Sequence, residues 1–91
     1  MADKNAFFSQ VASLRSRYAL FAQSLKAEGI HEKLAAEYLR LQNEEVELRL
    51  QTAADKELND SPDIQGELRR IQFLVEDINI FLNSHPDNIV H

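Results

Sequence analysis

The chain has 91 residues, of which 44% are hydrophobic and 27% charged, with a net charge of −5 and no cysteine. That length suits one domain of modest core and is too short for two, while the acidic balance disfavours phosphate backbones as partners. Without cysteine there is no disulfide scaffold, no thiol catalysis and no thiolate metal ligation.

The charge is unevenly spread. Residues 1–29 carry four basic and two acidic side chains, residues 30–60 four and eight, and residues 61–91 two and five. No window approaches the roughly 18 consecutive apolar residues of a membrane span, and MADKNAFFSQ has no basic region followed by an apolar core. The expectation is a cytoplasmic protein.

The first helix is predicted over 3–29, starting near Asp3 or Asn5, whose side chains can accept from first-turn N–H groups. Phe7, Val11, Leu14, Tyr18, Phe21 and Leu25 alternate spacings of four and three, an apolar seam along one face. Phe8 and Leu20 lie off it. Gly29 suits the left-handed residue that ends a helix.

The second helix is predicted over 31–58 with a mixed pattern. Leu34, Tyr38, Leu41 and Leu48 line one seam; Ala35, Leu39, Val46, Leu50 and Ala53 are read as an adjacent one. Gln42 and Glu45 interrupt these seams, and such polar insertions sit at a bundle edge or fix register. Lys33 with Glu37 and Glu45 with Arg49 are four apart and can pair along the helix.

The third helix is predicted over 62–83. Asp60 or Ser61 can cap it, Pro62 lacks an N–H that would be unpaired there, and Asp63 suits the positive end of the helix dipole. Ile64, Leu68, Ile71, Val75, Ile78 and Leu82 form its seam. Phe73, Leu74, Ile80 and Phe81 make the C-terminal half apolar nearly all round, so it needs partners on more than one side. Asn83 is expected to end the helix in a left-handed conformation, Pro86 blocks continuation, and residues 84–91 form a mobile tail in which Ile89 and Val90 can dock.

Chemistry-bearing patterns are sparse. Glu28 and His31 have the Glu-x-x-His spacing of carboxylate-bridged metal bundles, but Gly29 breaks the face between them and no second copy exists. His85 and His91 fall in the tail. Glu44, Glu45 and Glu47 are expected to fan outward into solvent, whereas acid–base catalysis needs carboxylates converging on a pocket. With two glycines there is no phosphate loop or nucleophile elbow.

The run SPDIQGELRRIQFLVEDIN is similar to the last helix of the YlbF/YmcA-type competence and biofilm regulators over about a quarter of the chain, with Gln72 and Val75 displaced by one residue. In general character the chain resembles bacterial secretion chaperones. Neither resemblance assigns the chain to a family.

The fold expected is all-α, a single domain over 1–91: an antiparallel three-helix bundle or coiled-coil-like helical assembly, closing around the third helix. Its apolar surplus points to a non-enzymatic interaction module (adaptor, small chaperone or regulatory subunit) that buries a helix face against itself or a partner protein. The expected partner-binding residues are Leu50, Phe73, Leu74, Ile80, Phe81, Phe8 and Leu20. No catalytic residue, cofactor, metal, membrane or small-molecule substrate is expected. The alternative is a nucleic-acid-associated regulator using Arg15, Arg17, Arg69 and Arg70.

Overall fold

The computed structural model describes residues 3–84, which are 91% helical and contain no strand. In chain order the helices are α1 (Lys4–Glu28), α2 (Glu32–Ala54), the single turn α3 (Lys56–Asn59) and α4 (Pro62–Ser84). None is long and apolar enough to cross a membrane. The tail expectation, including Ile89 and Val90, lies outside the described residues except for Ser84, which ends α4.

Local chemistry explains the boundaries. Asp3 Oδ1 accepts from the Asn5 N–H at 3.0 Å, and Gly29, at φ 73°, ends α1 with its N–H donating to the Leu25 carbonyl at 2.8 Å. Of the two expected caps for the last helix, Ser61 serves, its Oγ accepting from the Ile64 N–H at 3.4 Å. Asn83 does not cap: α4 runs through it to Ser84, and among the described residues only Gly29 has positive φ.

The predicted helix 31–58 is divided. Thr52 Oγ1 donates back to the Leu48 carbonyl at 2.7 Å, and Asp55 then turns extended at φ −118°, ψ 114°. Its Oδ1 accepts from the N–H groups of Glu57 and Leu58, starting α3. A straight α2 would carry Leu58 to the side of the buried stripe; the break turns it into the core, where it is 2% exposed.

Side-chain partners fix the helix directions. Arg17 meets Glu44, and Phe21 stacks on Tyr38 with ring centroids 5.2 Å apart, so residue numbers run oppositely and α1 and α2 are antiparallel. Arg15 meets Glu67 and Lys26 meets Asp77, rising together, so α1 and α4 are parallel. The bundle therefore runs up, down, up. Its organiser is α1 rather than the last helix: α1 packs along both neighbours and buries Phe7, Val11, Leu14, Tyr18, Phe21, Ala22 and Leu25. From α4, Ile64, Leu68, Ile71 and Ile78 enter the core, while Val75 and Leu82 are half-buried at its edge.

Candidate interaction surface

The polar side chains that looked like interruptions tie the three long helices together. The Tyr18 hydroxyl, on a residue with no exposed surface, donates to Glu45 Oε1 at 2.7 Å. Arg49 Nε donates to the other oxygen of Glu45 at 2.8 Å, and its Nη2 to the Leu68 carbonyl of α4 at 3.2 Å. Glu45 thus points inward, contrary to the expected outward fan, because it accepts a buried phenol. Burial, helped by the hydrogen bond to Glu45, pushes the Tyr18 phenol well above its usual range; burial likewise raises Tyr38.

Three of the four arginines of the nucleic-acid alternative face carboxylates. Arg17 grips Glu44 with two hydrogen bonds of 2.8 and 2.7 Å, with Glu37 3.7 Å away, and this hydrogen-bonded pairing holds the Glu44 carboxyl below its usual range. Arg15 Nε lies 2.8 Å from Glu67 Oε2 with its N–H turned off the line between them, an ion pair without an aligned hydrogen bond, and Arg70 stands 3.9 Å from the same oxygen. These arginines form no continuous row of free cations, and Arg69 is exposed on α4.

Glu28 and His31 form a corner between α1 and α2. His31 Nδ1 accepts from the Leu34 N–H at 3.4 Å as the α2 cap, which leaves the proton on Nε2 to face Glu28 Oε1 at 3.1 Å. A groove of about 410 Å³ lies between α1 and α2 and is lined by Ser9, Gln10, Ser13, Arg17, Glu44 and Glu47 with Leu48 and Gln51. Neither of its serines has a lining histidine to activate it, and the Arg17–Glu44 pair occupies its wall.

What the bundle leaves in water is apolar surface. On α2, Leu34, Tyr38, Leu41, Glu45, Leu48 and Thr52 face inward at spacings of four and three. Ala36, Leu39, Asn43, Val46, Leu50 and Ala53 alternate spacings of three and four, each one or two residues beyond an inward-facing one, and all six are exposed. At about 100° per residue this second seam averages roughly 150° from the first, nearly the opposite side of the helix and not adjacent to it. Leu39, Val46 and Leu50 are 59%, 56% and 65% exposed.

The expected partner-binding residues divide. Leu50, Phe73, Ile80 and Leu20 are each more than half exposed, whereas Phe8, Leu74 and Phe81 are half-buried and pack on the core. Phe73 and Ile80, seven apart, share the outer face of α4, and Leu20 lines a shallow groove with Leu34 and Glu37. Phe8 borders a groove with Pro62, Gly66 and Arg70. Leu39 and Val46 were missing from the expected set; the signal for them was the second four-three alternation, visible in the sequence once α2 is allowed two faces.

No protein-family model, curated protein or solved structure significantly matches the chain.

Proposed function

We propose that this chain is a non-enzymatic helical interaction module of the cytoplasm, an adaptor, small chaperone or regulatory subunit that binds protein through an exposed helix face. The observation that carries the reading is the outer seam of α2, a heptad-like alternation of Ala36, Leu39, Asn43, Val46, Leu50 and Ala53 that contributes nothing to the bundle's own core. Such alternation along most of a 23-residue helix is the pattern of a helix that packs along another helix. Asn43 within it suits an interface that selects register rather than one that only buries area.

The test is the double substitution Leu39→Asp with Leu50→Asp. Both side chains already stand in water, so far-ultraviolet circular dichroism should show undiminished helix and a nearly unchanged melting temperature, while self-association or partner capture from native extract is lost. The reading fails if the double variant unfolds. It fails equally if the unmodified protein stays monomeric at high concentration and captures nothing that the variant does not.

A further inference from the structure

We propose that the occupant of the α2 seam is a second copy of this chain, docked antiparallel about a two-fold axis near the helix midpoint. This rests on reading the outer face of α2 as an interaction surface. The sequence of that face is nearly palindromic in size: Ala, Leu, Asn, Val, Leu, Ala at residues 36, 39, 43, 46, 50 and 53. Antiparallel pairing sets Ala36 against the partner's Ala53, Leu39 against the partner's Leu50 and Asn43 against the partner's Val46, and the two-fold repeats each layer. Large meets large in the inner layers and small meets small at both ends, so the backbones can close along the whole seam.

Charge decides the orientation. Arg40 and Glu47 each follow a seam residue and flank the face; both are exposed, and among the described residues neither forms an ion pair within its own chain. Antiparallel docking brings Arg40 beside the partner's Glu47, and symmetry makes that two ion pairs. Parallel docking would instead set Ala35 beside Arg40, Gln42 beside Glu47 and Arg49 beside Ala54, with no ion pair. Arg49 is in any case occupied by Glu45 and the Leu68 carbonyl.

The test is sedimentation equilibrium of the full chain and of Arg40→Glu and Glu47→Arg. Each single substitution turns two attractive contacts into two repulsive ones and should weaken the dimer roughly tenfold. An equimolar mixture of the two variants should regain the unmodified affinity as a heterodimer, which also excludes misfolding as the cause of the loss. Because the chain has no cysteine, Leu39→Cys and Leu50→Cys should give a mixed disulfide on air oxidation in preference to either homodisulfide. A dimer insensitive to both charge changes, a mixture without rescue, or preferential homodisulfides would overturn the antiparallel dimer. A monomer at high concentration overturns it too; if Leu39→Asp with Leu50→Asp then still abolishes binding to another protein, the interaction-module reading stands without it.

Discussion

Tyr18, with no exposed surface of its own, brings a hydroxyl to the edge of the core, and Glu45 makes that position tolerable by accepting a hydrogen bond from it at 2.7 Å. Tyr18→Phe leaves that carboxylate oxygen short of a donor and should cost about 1–3 kcal/mol in urea unfolding. Tyr18→Phe combined with Glu45→Met should cost clearly less than the sum of the single changes, since both polar partners are then gone. Burial raises the phenol above its usual 10.0, so the stability it contributes is complete below that pH and is lost as pH rises through the folded-state value. Glu44 has the opposite sign: Arg17 holds its carboxyl below the usual 4.5, so its contribution is present above that pH and lost as pH falls through the lowered value. Being half-exposed, the pair is weak, and Glu44→Gln should cost less than about 1 kcal/mol at neutral pH. That difference should close on acidification and shrink in high salt, as read by thermal melts across pH.

Among the helices, α1 was legible throughout, because its six seam residues, its Asp3 cap and its Gly29 terminator all point the same way, and all six are buried. The break in α2 is only partly legible: the stretch from Ala54 to Ser61 reads as a polar link with turn formers, yet the helix is expected to run on to Leu58, because Asp55 looks like any polar helix residue until the burial of Leu58 demands a turn. The inward direction of Glu45 was hidden, since its partner Tyr18 lies on another helix, 27 residues away. The outer α2 seam is half legible: Leu39, Val46, Leu50 and Ala53 group together in the sequence, but with Ala35 in place of Ala36, without Asn43, and on a face read as adjacent to the first when it lies nearly opposite. Gly66 is a purely local matter. A Cβ added there meets nothing within 4 Å, so Gly66→Ala in the first turns of α4 should stabilise the protein by roughly 0.5–1 kcal/mol, measurable as a raised melting temperature.

In the whole molecule, apolar residues fall into two populations that answer differently to substitution. Ile78 has no exposed surface, so Ile78→Ala should cost roughly 2–5 kcal/mol in urea unfolding. Phe73, on the same helix, is 63% exposed, and Phe73→Glu should leave folding within about 0.5 kcal/mol. Equal losses for the two would mean that the outer face of α4 supports the fold.

The parallel pairing of α1 with α4 also bears on how the chain is made. Lys26 finds Asp77, and Arg15 finds Glu67, across 51 and 52 residues respectively, so the deepest seam of the molecule is sealed by its last helix. While the chain is still being synthesised, α1 can lean only on α2, and the side of its seam reserved for Ile64, Leu68, Ile71 and Ile78 stays open until α4 emerges. The interval between translating α1 and translating α4 is therefore when this protein is most exposed to aggregation, and slow translation between the two helices would lengthen it.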